Sequence, residues 1–206
     1  MANLVLASTS PRRKELLQQI GVSFTQLSID INEDVASAEK PEEYVLRLAK
    51  EKAAAGFECL STAERANHVV LAADTTVVCN GKILAKPESL NHSKEILNQL
   101  SGQEHLVMSA IGLHSRDKTQ QEIVITKVKF RVISDAEIEA YWLTGEPQDK
   151  AGSYGIQGLG AVFVESIEGS YSNVVGLPLC ETAQRLNQFN IASWQETSTA
   201  NAESIL

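Results

Sequence analysis

Ser8-Thr9-Ser10-Pro11-Arg12-Arg13 sets serines and two arginines around a proline. Proline suits the first position of a helix, and a serine before it suits the N-cap. The run therefore reads as a loop entering a helix N-terminus, where unpaired N–H groups and the helix dipole favour an anion. The arginines add charge-assisted donors for phosphate oxygens. The loop lacks the glycines and lysine of a P-loop, and a capped surface helix with solvated arginines explains the same pattern. Lys52 follows Val45 by seven positions and Leu48 by four, on the apolar face of its helix. It either snorkels outward or points into a site. Asp74 closes the apolar run His68–Ala73. A carboxylate at a strand end can line a cleft, with Thr75 beside it and Lys86 past the next turn; it can also simply form a turn. Glu33, with Asp30 and Asp34, offers hard oxygen donors for Mg²⁺ or Mn²⁺, or forms a solvated acidic loop. Gly152, Gly155, Gly158 and Gly160 form a stretch able to approach a ligand closely, or merely a flexible loop before a strand. Within it, the Gln157 amide can donate and accept, matching the imide edge of uracil or thymine. Convergent cations, two sources of carboxylate and a polar reader are the inventory of a nucleoside triphosphate site.

Composition narrows the alternatives. The 206-residue chain carries a formal charge of -8, which repels a polyanion and argues against a nucleic acid polymer as partner. No apolar run approaches the length that spans a bilayer, and the start lacks the charged region of a signal peptide. Cys59, Cys79 and Cys180 are odd in number with no CxxC, so neither a disulfide framework nor a zinc site is expected. Reduced thiols fit a cytoplasmic protein. His68, His92, His105 and His114 show no i, i+4 pairing, which leaves a histidine metal site or a Ser-His-Asp triad without support.

The elements that must position these residues follow from period and punctuation. Leu4–Ala7 is expected as a buried strand, followed by a helix from Pro11 that ends at Gly21. Val22–Ile29 is a second candidate strand. Pro41 opens a longer helix with Tyr44, Val45, Leu48 and Ala49 on one face. Strands are expected over His68–Ala73, Thr75–Cys79 and Lys82–Leu84, the last two joined by Asn80-Gly81 as a type I′ turn. Ser89–Leu100 is helical. Leu106–His114 and Ile123–Val132 are strands, the second with Thr126, Val128, Phe130 and Val132 on one face. Ser134 and Glu137 make a capping box for a helix through Leu143. Ala161–Ile167 is a strand, and Pro178 starts a last helix ending near Phe189. The order predicts an α/β or mixed α+β domain around a central sheet. One domain is expected over residues 1–191, with residues 192–206 as a polar, mobile tail.

Taken together, these segments resemble the Maf family of nucleoside triphosphate pyrophosphatases. The resemblance rests on Leu6-Ala7-Ser8-Thr9-Ser10-Pro11-Arg12-Arg13, Arg47-Leu48-Ala49-Lys50-Glu51-Lys52-Ala53, Ala73-Asp74-Thr75, Lys86-Pro87, Asp149-Lys150-Ala151-Gly152 and Val175-Gly176-Leu177-Pro178. It covers roughly Leu4 to Phe189. It implies a long twisted mixed sheet flanked by helices, with a cleft between two lobes, like that of the inosine triphosphatases. It implies a divalent metal, Mg²⁺ or Mn²⁺, and cleavage between the α and β phosphates. Asp74 matches the family's proposed general base, Glu33 an acidic position linked to the metal, and Ser8, Arg13, Lys52 and Lys86 its phosphate-binding positions. Arg12, Thr75 and Gln157 match the branch similar to dTTP and UTP pyrophosphatases. The branch acting on 7-methylguanosine triphosphate carries tryptophan, glutamine and glutamate there. A pyrophosphatase that clears modified pyrimidine nucleotides before their incorporation into nucleic acids is a further reading, which shares the chemistry and differs only in the natural substrate; the resemblance is compatible with a homodimer. Because the family is linked to arrest of septum formation, a nucleotide-binding regulator with little turnover is the alternative function.

Overall fold

The apolar run that starts at His68 does not stop at Asp74. It continues to Cys79 as one strand, because Thr75, Thr76, Val77 and Val78 are β-branched and suit a pleated, buried surface. In the computed structural model, which describes residues 2–194, that strand is the third of a seven-stranded sheet. In chain order the elements are β1 (Asn3–Ala7), α1 (Pro11–Gln19), β2 (Thr25–Leu27), α2 (Pro41–Glu58), α3 (Thr62–Arg65), β3 (His68–Cys79), β4 (Lys82–Leu84), α4 (Leu90–Leu100), β5 (Glu104–His114), β6 (Thr119–Phe130), α5 (Asp135–Leu143), β7 (Val164–Glu168), α6 (Tyr171–Val175) and α7 (Leu179–Asn187). Short 3₁₀ turns cover Glu146–Asp149, Ala151–Ser153 and Leu159–Phe163. Most of the segment expected as a tail, residues 195–206, lies outside the described residues. Just before it, the Trp194 N–H donates to the Ile20 carbonyl at 2.7 Å.

The sheet is mixed, in the order β2-β1-β3-β5-β6-β7, with β4 pairing back onto β3. β1 runs parallel to β2 and β3, and the remaining pairs are antiparallel. The β3–β4 hairpin turns at Asn80 (φ 50°) and Gly81 (φ 76°), the left-handed pair that a type I′ turn requires. Other expected strands form over different bounds. Val22–Ile29 yields only Thr25–Leu27, the stretch that finds a ladder partner in the short β1. Ala161–Ile167 begins late, at Val164, because Leu159–Phe163 first makes a 3₁₀ turn that buries Phe163. β6 alternates as expected through Thr126, Val128 and Phe130 but ends there, and Val132 is 77% exposed.

Alternation along β3 decides which helix each residue meets. Val70, Ala72 and Val78 pack with residues of α2, among them Val45, Ala49, Ala53 and Phe57. Val69, Leu71 and Ala73 pack on the other face with Leu16 and Leu17 of α1 and Leu186 of α7. Val77 and Cys79, on that same face, enter a separate core with Ile96 and Leu97 of α4 and Ile138 of α5. Two cores therefore share one sheet, and the cleft lies between them.

Candidate active site

β3 has strand neighbours along one edge only in part. β1 pairs with His68–Leu71, and β4 pairs with Val77–Cys79. Between those stretches, residues 72–76 have no ladder partner on that side, while β5 covers the other edge throughout. After Ala7 the chain peels away from the sheet and enters α1. A gap opened by a diverging strand is where α/β sheets place ligands. Here it opens into a cleft of about 1020 Å³.

Asp74 and Thr75 are successive, so they point to opposite faces of β3, and each meets a cation from a different helix. On the α2 face, Lys52 Nζ donates to Asp74 Oδ1 at 2.7 Å and sits 2.6 Å from Glu33 Oε1. Asp74 is nearly buried at 7% exposure, whereas the Glu33 side chain is half exposed. Burial raises the Glu33 pKa, but the Lys52 hydrogen bond and the charges of Lys52, Lys86 and Arg13 outweigh it and hold the carboxyl below its ordinary value. The Glu33 loop is anchored to α2 by two side chains. Tyr44 Oη donates to the Glu33 carbonyl at 3.0 Å, and Arg47 donates to the Asp34 carbonyl at 2.9 Å while holding Glu39 through two nitrogens at 2.6 and 2.8 Å. Burial, then Asp74 and Glu33, push the Tyr44 phenol up to about 12.

On the opposite face, Arg13 Nη2 donates to Thr75 Oγ1 at 3.2 Å, Nε to the Gly176 carbonyl at 3.0 Å and Nη1 to Ser8 Oγ at 3.4 Å. Burial lowers the Arg13 pKa, and the Asp74 charge opposes that loss. Ser10 caps α1, its hydroxyl 3.5 Å from the Arg13 N–H. Ser8 is buried, and its Oγ accepts from the Ser10 N–H at 3.2 Å. Thr75 Oγ1 lies 2.8 Å from Ser109 Oγ, which donates to the Asn173 carbonyl at 2.8 Å. A buried polar chain thus fixes the hydroxyl that Arg13 uses.

All nine residues singled out from sequence, Ser8, Arg12, Arg13, Glu33, Lys52, Asp74, Thr75, Lys86 and Gln157, line the cleft, and Asp34 joins them; Asp30 does not. Asp74 is there as a mid-strand residue, not as the strand end expected. Arg12 Nη1 reaches Asp149 Oδ2 at 3.4 Å across the mouth. Lys86 and Gln157 are exposed on the wall. Tyr44, Arg47, Ser109 and Glu146 were not anticipated as parts of the site. The sequence places Tyr44 only on the apolar face of its helix, and nothing in the spacing marks Glu146 as a partner of the glycine loop. The arginine beside Glu51 at i, i+4 was the one available signal for Arg47.

Fold and site together define a protein that can seat a compact polyanion on an arginine-capped helix end, beside a carboxylate–lysine–carboxylate cluster. The chain belongs to the Maf family: the profile described as Maf-like protein matches residues 3–189. It is 54% identical over 183 residues to a protein of Colwellia psychrerythraea (strain 34H / ATCC BAA-681), covering 89% of this chain and 86% of that one. Identity is 52% over 190 residues to a protein of Pseudoalteromonas atlantica (strain T6c / ATCC BAA-1087), covering 92% and 98%. It is 51% over 189 residues to a protein of Vibrio vulnificus (strain YJ016), covering 92% and 100%. Each of these relatives is named dTTP/UTP pyrophosphatase. Among the described residues no helix is long and apolar enough to cross a membrane.

Proposed function

We propose that the protein hydrolyses dTTP and UTP to the nucleoside monophosphate and pyrophosphate. The observation that carries this reading is the cluster at the gap in β3, where Lys52 Nζ lies 2.7 Å from Asp74 and 2.6 Å from Glu33. The names of the relatives support the substrate pair. Arg13, Ser8 and the first turn of α1 bind the phosphates, with Lys52 and Lys86 on the opposite wall. Asp74 takes a proton from water as the oxygen attacks the α phosphorus, and the bond from that phosphorus to the bridging oxygen breaks. Pyrophosphate leaves with its charge held by Arg13, Lys52 and Lys86. Gln157 pairs with the imide edge of the pyrimidine, accepting from N3–H and donating to a ring carbonyl.

The chain's own donors fit a divalent cation. Glu33 and Asp74 are hard oxygen ligands that already converge on one positive group, the Lys52 ammonium. Among the described residues no group of three His, Cys, Asp or Glu side chains forms a metal cage. The triphosphate and water would supply the remaining oxygen ligands. Bound Mg²⁺ or Mn²⁺ would supply charge neutralisation at the phosphoryl oxygens.

The deciding experiment incubates purified protein with Mg²⁺ or Mn²⁺ and each common nucleoside triphosphate, 7-methylguanosine triphosphate included, and follows pyrophosphate release. Release chiefly from dTTP and UTP is expected. Release chiefly from the methylated guanine nucleotide would keep the chemistry and overturn the base assignment. Nucleotide binding without turnover would overturn the enzyme. In ¹⁸O-labelled water the label belongs in the monophosphate, and label in pyrophosphate would contradict attack at the α phosphorus.

A further inference from the structure

The glycine-rich stretch before β7 is built around a carboxylate. Glu146, in the 3₁₀ turn Glu146–Asp149, receives three hydrogen bonds: Tyr141 Oη to Oε1 at 2.7 Å, the Gly160 N–H to Oε1 at 3.0 Å and the Leu159 N–H to Oε2 at 2.7 Å. Tyr141 Oη in turn accepts from the Gly155 N–H at 3.1 Å. The glycines are there because a side chain would collide with this clamp. A Cβ on Gly158 would overlap the Glu146 carboxylate, one on Gly160 would lie 2.6 Å from Tyr141 Oη, and one on Gly155 would lie 2.8 Å from Lys150 Cε. None of the three has a positive φ. Each needs its space for Glu146, Tyr141 or Lys150 rather than for a left-handed backbone, and Gly155 and Gly158 line the cleft as well.

Gln157 sits inside the clamped segment, between Gly155 and Gly158, and lines the cleft with its side chain exposed. Among the described residues the hydrogen bonds of Glu146 and Tyr141 to this loop go to its backbone, on both sides of Gln157. The same turn reaches the facing wall. Lys150 Nζ donates to the Glu146 carbonyl at 2.5 Å and to Asp149 Oδ1 at 2.6 Å, and Asp149 Oδ2 takes Arg12 at 3.4 Å. Two of the residues read as base-selecting, Arg12 and Gln157, are therefore placed by one 3₁₀ turn.

We infer that Glu146 is a positioning residue for base selection, its carboxylate fixing the Gly155–Gly160 loop so that the Gln157 amide stands at one place and orientation in the cleft. This inference rests on the reading of Gln157 as the group that pairs with the pyrimidine. Gly160 is buried, and its N–H stripped of the carboxylate costs more than a hydrogen bond merely lost to water, whereas the exposed Leu159 N–H can turn to solvent. A neutral amide at position 146 keeps the size but turns an NH₂ towards an N–H or O–H that must donate. The loop then relaxes, and Gln157 is spread over several positions. The phosphates and the attacking water lie on other elements, so the chemical step is little affected.

The test measures kcat and KM for UTP, CTP and GTP with Mg²⁺ in the wild-type protein, Glu146→Gln, Tyr141→Phe, Gln157→Ala and the double variant Glu146→Gln/Gln157→Ala. Glu146→Gln is expected to raise KM for UTP about ten-fold and to erode the preference for UTP over GTP by a similar factor, the worth of roughly one charged hydrogen bond, with kcat little moved. Tyr141→Phe moves both in the same direction by less. It also decides the matter should Glu146→Gln fail to fold. The double variant is expected to be no worse than Gln157→Ala alone, because both changes act through one side chain. If Gln157→Ala erodes the preference while Glu146→Gln and Tyr141→Phe keep wild-type KM and preference, the inference fails and the reading of Gln157 stands. A Glu146→Gln protein with a lower melting point and lower kcat but intact preference would show a merely structural role and also overturn it. If Gln157→Ala leaves the preference unaltered, the base-reading assignment fails and takes the positioning role with it.

Discussion

Lys52 is the residue on which the two carboxylates of the site depend. Its ammonium lies between Asp74 and Glu33, both within 2.7 Å, and without it two like charges face each other with little water around Asp74. The lysine holds the carboxylates in the resting protein, and in the proposed mechanism it also meets phosphate when substrate enters. Asp74→Asn keeps the shape and removes the proposed base. Its kcat is expected to fall by about 10²–10⁴ while KM changes little. Steady-state kinetics on UTP checks this, and an asparagine variant with wild-type kcat would remove Asp74 from the mechanism. Lys52→Met keeps the apolar stem that packs along α2 and deletes the charge. Loss of a preorganised cation of this kind is expected to cost about 10²–10³ in kcat. The same variant losing only KM would assign Lys52 to ground-state binding.

At the scale of elements, the site depends on how closely α2 lies on the sheet. Gly112 of β5 faces the α2 backbone. A Cβ there would overlap the Ala49 carbonyl oxygen and sit 2.8 Å from the Ala49 carbonyl carbon. Gly112→Ala must push α2 outward, and Lys52 moves with it. A loss of about 1–3 kcal/mol in urea denaturation is expected, together with a fall in kcat from the displaced lysine. Gly81→Ala is the control: its φ of 76° is strained for alanine, but nothing lies within 4 Å. It is expected to lose about 1 kcal/mol with kcat unchanged. Equal kcat in the two variants would show that the approach of α2 does not set the site. Much of this scale was legible in the sequence. The Asn80-Gly81 turn, the Ser134–Glu137 capping box, the strand–loop–helix around Ser8–Arg13 and the inward face of Lys52 all depend on neighbours a few positions away. What was not legible depends on distant partners. Asp74 lies in mid-strand because β5 pairs along β3 from Val70 to Val78. The stretch from Val22 keeps only three strand residues because β1 offers only Val5, Leu6 and Ala7 as partners. The glycines at 155, 158 and 160 looked like a ligand-hugging loop, and only the folded chain brings Glu146 and Tyr141 beneath them.

At the scale of the whole molecule, stability in acid is set by a few groups spread over the fold. His105 of β5 is 2% exposed, wedged edge-on against Phe130 and Tyr154, in the core that also holds α4 and α5. Its Nε2 lies 2.9 Å from Tyr154 Oη, and its Nδ1 has no partner among the described residues. Burial lowers its pKa from 6.5 to about 4. Below pH 6.5 the unfolded chain takes a proton that the folded chain refuses, so stability falls as the pH drops through this window and levels off near pH 4. The full loss relative to neutral pH is about 3 kcal/mol. Glu39 and Glu137 act lower down. Arg47 and Arg131 respectively, each by a side-chain hydrogen bond, hold them near 2 rather than 4.5. Their stabilisation is present above pH 4.5 and is lost as the pH falls through about 2. Acid unfolding is therefore expected in two stages, the first set by the histidine. His105→Gln retains a polar partner for Tyr154 without a titrating ring. Urea denaturation at intervals from pH 7 to pH 4 is expected to show the steeper fall in the wild-type chain and a shallower one in the variant, where His114, whose pKa burial also lowers, still contributes. Equal slopes would place the acid sensitivity elsewhere, whatever the absolute stability of the variant. Because His105 lies outside the cleft, kcat at pH 7 should be the same in both proteins, which separates this stability effect from titration of the site itself.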